Sequence, residues 1–228
     1  MGAWLSMGIF PSIGKSFTLH PLSFMGFLTM IRGIMQRTAQ LERKTRETTI
    51  SGTLTLDGRG KKDVSTGIGF FDHMLDHLSK HSGISLNLHA QGDLEVDYHH
   101  TVEDCGIVLG ELLLKAIGNG AGINRFGSAS VPMEETLAEV SLDLCGRGYL
   151  VFNVPVLQPK VGDFDSELVR EFFLAFTRSG RFTAHIRVTT GKNQHHIFEA
   201  IFKAFARALR EAVMLTGSEE IPSTKGVL

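Results

Sequence analysis

The 228-residue chain holds only two cysteines, Cys105 and Cys145, and they share no C-x-x-C spacing. That excludes a disulfide framework and a thiolate-rich zinc site, and it fits reduced thiols in a cytoplasmic setting. Net charge is nearly absent, with 23 Lys and Arg against 24 Asp and Glu. The basic footprint of a general nucleic-acid binder is missing, so no nucleic-acid partner is expected. No uninterrupted run of about 18 apolar residues occurs, which argues against a membrane partner or span. The H-E-x-x-H, G-x-S-x-G and G-x-x-x-x-G-K-[ST] signatures are also lacking, and with them a zincin, an α/β-hydrolase and a P-loop enzyme. Histidine is what the chain has in plenty, ten against one tryptophan and two tyrosines. It is the commonest metal ligand and the usual proton carrier near neutral pH.

Residues 1–34 are apolar, carry Lys15 and Arg32 but no acid, and are broken by Pro11, Gly14, Pro21, Gly26 and Gly33. They read as a dispensable extension or a misassigned start ahead of Met35. A transit peptide is the other reading, and only then would the destination be a plastid. Beyond them the sequence repeats itself. His-His-x-x-Glu occurs as His99, His100, Glu103 and again as His195, His196, Glu199, each time opening a long run of helical periodicity. Upstream, FFDHMLDHLSKHSG (70–83) and LVREFFLAFTRSG (168–180) read as amphipathic helices, each followed by an alternating strand, 84–92 and 181–191. Further strand-like runs precede them at 48–58 and near Val64, and at 128–133, 136–144 and 149–154.

Each half therefore reads strand, strand, helix, strand, helix. The expectation is an α+β fold of two tandem, pseudo-two-fold-related repeats, residues 35–120 and 121–215, with residues 216–228 as a polar C-terminal arm.

On a helix, residues four apart lie about 40° from each other around the axis and neighbours about 100°. His99 shares a face with Glu103, and His195 with Glu199, while His100 and His196 point elsewhere. Four imidazoles and two carboxylates without thiolate suit Mn²⁺, Fe²⁺, Co²⁺ or Zn²⁺. Read blandly, the same residues are caps and dipole partners at helix starts; matched placement in a repeat favours metal. His73, His77 and His81 form an i, i+4, i+8 stripe that is either a chelating edge or a solvated face. Packing suffices for His89 and His185, and both cysteines sit in apolar runs that suit inert thiols. Arg125 in GINRFG, Arg147 in CGRG and Lys225 in PSTKG pair basic side chains with glycine or hydroxyl neighbours, which suits a phosphate.

From about residue 40 to residue 228 the sequence closely resembles the imidazoleglycerol-phosphate dehydratase family of histidine biosynthesis. The resemblance rests on FFDHMLDHLSKHSG, DYHHTVED, INRFG, LDLCGR, GKNQHHIFEAIFKAFARAL and IPSTKGVL, in that order. It implies repeats of the ribosomal protein S5 domain 2-like type, with helices packed between sheets. It also implies two Mn²⁺ per active site (Fe²⁺ or Co²⁺ as substitutes) and a homo-oligomer, a 24-mer built from trimers with metals at subunit interfaces. Carried over by motif, the ligands are His73, His99, His100, Glu103, His195, His196 and Glu199, with Glu171 where many members have histidine. Arg125, Arg147, Lys203, Ser223, Thr224 and Lys225 match positions that hold the phosphorylated end of the substrate.

The implied reaction dehydrates imidazole glycerol phosphate to imidazole acetol phosphate through an imidazolate held between the two metals. Glu47 in RETT is the matching acid/base; without the resemblance it reads as a solvated strand carboxylate. With Glu47, the residues at the reacting end are His73, His99, Glu103, His195 and Glu199. Two other functions fit the same residues: a dinuclear metal-dependent phosphatase, and a non-catalytic metal-binding oligomer. Release of inorganic phosphate would mark the first, and metal-dependent assembly without turnover the second.

Overall fold

The computed structural model describes residues 37–228, so the expectations for residues 1–34 lie outside the described residues. The first half runs β1 (Thr38–Lys44), β2 (Thr48–Thr55), β3 (Lys62–Ser65), α1 (Gly69–Ser82), β4 (Ser85–Gly92) and α2 (His99–Ile117). The second runs β5 (Phe126–Met133), β6 (Thr136–Asp143), β7 (Tyr149–Asn153), the short hairpin β8 (Lys160–Val161) and β9 (Phe164–Asp165), then α3 (Leu168–Gly180), β10 (Thr183–Thr190) and α4 (Gln194–Val213).

The two main sheets share one topology. Their orders are β1-β2-β4-β3 and β5-β6-β10-β7. In each, the first three strands are antiparallel and the last lies parallel to its neighbour. The fold is thus α+β in two tandem repeats, with one correction to the expected element order: three strands of the main sheet, not two, precede the first helix of each half. The strand that the sequence reading passed over is β1. It is an edge strand whose inward positions are Ala39, Leu41 and Arg43, and Arg43 meets Asp104 in an ion pair instead of an apolar contact. A weakly apolar alternation of that kind leaves little periodic signal. The β8–β9 hairpin is an insertion with no counterpart in the first half.

The helices fill the space between the sheets and exchange partners across the halves: α2 lies on β1 and β2 and packs against α3, while α4 lies on β5 and β6 and packs against α1. One continuous core results. The α2–α3 contact is close because α2 presents Gly106 and Gly110. A Cβ on Gly106 would stand 2.7 Å from the Phe172 carbonyl oxygen, and one on Gly110 would stand 2.6 Å from the Gly180 nitrogen. On the other side of α2 the core is aliphatic (Leu88, Val108, Leu112). Beyond α3 it is phenylalanine, with the rings of Phe172, Phe173, Phe176, Phe202 and Phe205 centred 4.9–5.7 Å from their neighbours. Among the described residues no helix is long and apolar enough to cross a membrane.

Candidate active site

Each His-His-x-x-Glu copy sits on the first turn of a helix that follows the third strand of its sheet, β4 before α2 and β10 before α4. A short polar side chain fixes each start. Asn193 Oδ1 accepts the backbone N–H groups of His195 (2.9 Å) and His196 (3.4 Å), and Asp97 Oδ1 accepts that of His99 at 2.7 Å. Orphan donors at the helix N-terminus are satisfied in this way, and the two imidazoles project from one turn.

At the second copy, three histidines from two helices converge on one carboxylate. Glu199, whose side chain is 9% exposed, lies 3.2 Å from His195 Nε2, 3.5 Å from His73 Nε2 and 3.4 Å from His77 Nε2. Lys203 Nζ donates to Glu199 Oε1 at 2.5 Å. Burial pushes the Glu199 carboxyl up, but the Lys203 ammonium and the surrounding imidazoles outweigh it and leave the group at about 2. Burial also pushes His77 down to about 4, against the pull of Glu199, so its imidazole is neutral near pH 7 with a lone pair to offer.

His73 and His77 face each other Nε2 to Nε2 at 3.2 Å, and donor atoms of His73, His77 and Glu199 all lie within 4.8 Å of one another. Imidazoles and a carboxylate at that spacing fit a divalent ion of the Mn, Fe, Co or Zn type. His77 was the uncertain member of the histidine stripe; the i, i+4 spacing from His73 was the signal for it. Lys203 was expected at the phosphate. The i, i+4 geometry of α4 places it on Glu199 instead.

The first copy is more open. His99 Nε2 lies 3.6 Å from Glu103, with the two side chains 40% and 48% exposed. His100 turns the other way. Its Nδ1 meets Asp93 at 3.0 and 3.2 Å, which raises its pKa, and its Nε2 lies 3.9 Å from Glu47 Oε1. Glu47 sits in the β1–β2 turn. Its N–H donates to Thr45 Oγ1 (3.1 Å) and its carbonyl accepts from Asp93 N (3.2 Å). Thr48, next in sequence, donates its hydroxyl to the buried Asp104, which also binds Arg43.

In the second half, His196 Nδ1 lies 2.9 Å from Glu135 Oε2. That hydrogen bond raises the imidazole's pKa and holds the carboxyl far below the usual carboxylate range. The sequence reading picked out neither Asp93 nor Glu135, because each is an ordinary loop acid until the fold brings it to a histidine. Glu171 pairs with Arg170 Nη1 at 2.8 Å and joins neither group of His and acidic ligands.

Arg125, Arg147, Ser223, Thr224 and Lys225 line one cleft of about 340 Å³, together with Cys145, Gly146 and the C-terminal Val227 and Leu228. The basic and hydroxyl residues expected at a phosphate are therefore neighbours, apart from Lys203. Arg125 is already engaged: its fork grips Asp143 (2.7 and 3.2 Å) and its Nη1 donates to the Pro222 carbonyl. It shapes the cleft and tethers the C-terminal arm. A larger cleft of about 500 Å³ lies on the outward face of β5, β6 and β10, but no expected site residue lines it. The chemistry of the donor groups, not cavity size, marks the site.

A family model described as imidazoleglycerol-phosphate dehydratase matches residues 66–209. A protein of that name from Pelotomaculum thermopropionicum is 55% identical over 193 residues, spanning 85% of this chain and 99% of the relative. One from Exiguobacterium is 52% identical over 190 residues, spanning 83% and 97%. Among solved structures, the imidazoleglycerol-phosphate dehydratase of Staphylococcus aureus aligns with a TM-score of 0.72 at 45% identity, covering 78% of this chain and 99% of that one. The enzyme from Pyrococcus furiosus, solved with (S)-C348, aligns at 0.73 and 36% identity, covering 82% and 100%.

Proposed function

The chain belongs to the imidazoleglycerol-phosphate dehydratase family, hydro-lyases of histidine biosynthesis, and from that premise we propose that it converts D-erythro-imidazole glycerol phosphate to imidazole acetol phosphate and water. The observation that carries the reading to this chain's own residues is the convergence of His73, His77 and His195 on the nearly buried carboxylate of Glu199. The reaction breaks the C–OH bond on the carbon attached to the imidazole ring and the C–H bond on the next carbon. Water leaves, the resulting enol tautomerises to the ketone, and the phosphate ester stays intact.

When bound, two Mn²⁺ ions (or Fe²⁺ or Co²⁺) would supply Lewis acidity toward the substrate's imidazole ring. His73, His195 and Glu199 would hold one part of the ligand set, His99, His100, Glu103 and His196 the other, with Glu171 as a further ligand. Glu47 takes the proton from the C–H carbon. Its backbone is fixed at both N–H and C=O, which holds its exposed carboxylate in the turn beside His100. Arg147, Ser223, Thr224 and Lys225 bind the phosphate in the cleft that Arg125 braces. Lys203 neutralises Glu199.

The substrate is a small phosphorylated imidazole and the setting cytoplasmic. The partner is the chain itself: a homo-oligomer, a 24-mer of trimers with metals at the subunit interfaces. The exposed His99–Glu103 pair supports that reading, because it leaves ligands facing outward.

The test is chelation, re-addition of Mn²⁺ and measurement of imidazole acetol phosphate formed from imidazole glycerol phosphate. Turnover that returns with Mn²⁺ and releases no inorganic phosphate is the expected result. Phosphate release would point to a phosphatase. No turnover with stoichiometric metal bound would leave a non-catalytic metal-binding oligomer.

A further inference from the structure

The repeat places a Glu-Thr pair at the same point of both halves. Glu47-Thr48 enters β2 and Glu135-Thr136 enters β6, and both threonines are buried. The two glutamates nevertheless face different atoms. Glu47 lies 3.9 Å from His100 Nε2, while Glu135 lies 2.9 Å from His196 Nδ1. The connections that precede the helices explain the divergence. Residues 93–98, between β4 and α2, begin with Asp93, which takes His100 Nδ1. The connection between β10 and α4 is only Gly191-Lys192-Asn193 and carries no acid. There Glu135 reaches across: its Oε1 accepts the Lys192 and Asn193 N–H groups (3.1 and 2.9 Å) and its Oε2 meets the imidazole.

We propose that Asp93 and Glu135 are a matched pair of positioning residues, each holding Nδ1 of the second histidine in its His-His-x-x-Glu copy so that Nε2 faces the metal. A carboxylate only accepts hydrogen bonds, so the proton on each imidazole sits at Nδ1 and the lone pair at Nε2. Outer carboxylates that fix a ligand's tautomer and ring plane raise its basicity toward metal. Because Asp93 carries this duty in the first copy, Glu47 is left free for proton transfer. Its repeat counterpart Glu135 is committed to holding a ligand.

The inference rests on the proposed metal-binding role of these copies, but not on the dehydration. The experiment therefore reads metal and tautomer directly, on the whole chain. Glu135→Gln keeps an oxygen for Lys192 and Asn193 and turns an NH₂ toward His196 Nδ1, which favours the Nε2–H tautomer. Asp93→Asn does the same at His100.

Mn²⁺ affinity, measured by competition with a chelator, is expected to fall about 10- to 100-fold in each variant. Solid-state ¹⁵N spectra of histidine-labelled, metal-free protein should show one imidazole moving from Nδ1–H to Nε2–H. Glu47→Gln should lower turnover while leaving Mn²⁺ affinity within about twofold. Wild-type affinity in both variants with unchanged tautomers overturns the proposal. So does outright loss of one bound Mn²⁺ in Glu135→Gln, which would make Glu135 a ligand itself. If the wild type binds Mn²⁺ yet does not dehydrate the substrate, the functional reading fails and the affinity and tautomer results still decide this one.

Discussion

The two His-His-x-x-Glu copies stand at equivalent places in the repeat but in unequal company. The second is gathered within a single chain: Glu199 is nearly buried, met by histidines from α1 and α4 and balanced by Lys203. The first consists of His99 and Glu103, both well exposed, and neither belongs to any group of three close ligands among the described residues. A duplicated motif has thus produced one cluster closed within the chain and one that looks outward. The cause is the exchange of helix partners between halves, because α1, packed on α4, brings His73 and His77 to Glu199.

The sharpest way to break this comparison is to remove the glutamates one at a time. Glu199→Gln and Glu103→Gln are each expected to lose one bound Mn²⁺ and more turnover than the about 100-fold typical of outer positions. Only Glu199→Gln should also destabilise the metal-free chain, by about 1–3 kcal/mol, since it strips a charged hydrogen bond from a nearly buried group. Metal content by elemental analysis and urea unfolding separate the two effects. If Glu103→Gln keeps both metal and turnover, the outward copy is no site and the comparison collapses.

The seam between the halves can be set against the packing inside one half. At Gly110 a Cβ would collide with the backbone of α3, which cannot move without shifting the helix. Gly110→Ala should cost about 1–3 kcal/mol or more, as overpacking does in rigid surroundings. At Gly52 the added methyl would meet the tip of Leu112 at 2.8 Å, and a leucine tip can rotate away. Gly52→Ala is expected to cost less. A reversed order in urea midpoints would mean that the halves are joined more loosely than they are built.

The repeat also shows what a sequence discloses. Long amphipathic helices and alternating strands announced themselves, and the ends of α1 and α3 fell where the periodicity stopped. The pairing of β1 did not, because one of its inward residues is the charged Arg43. His73, His195 and Glu199 were legible as i, i+4 pairs and repeated motifs. Asp93 and Glu135 were not, since their partners are set by connection lengths, which no local pattern encodes. His77 was half legible: its spacing was visible, its neighbour Glu199 was not.

The smallest expected effect concerns an arginine–aspartate fork that opens each half. Arg37, just before β1, grips Asp57 at 2.7 and 3.0 Å and donates to the Val213 carbonyl at the end of α4. Arg125, just before β5, grips Asp143 and the Pro222 carbonyl. The first fork fastens structure; the second also lines the cleft shared by Arg147, Ser223, Thr224 and Lys225. The hydrogen bond from Arg37 holds the Asp57 carboxyl below its ordinary 3.8. Its contribution is therefore fully present above 3.8 and is lost as the pH falls through the lowered folded value. Asp57 is partly exposed, so Asp57→Asn should cost at most about 1 kcal/mol at pH 7, and the difference from wild type should shrink as urea unfolding is repeated below pH 3.8. KM for the phosphorylated substrate should not change. Asp143→Asn should raise KM, because Arg125 loses its brace at the cleft. Equal KM values in the two variants would show that the forks, like the strands they precede, are simple copies.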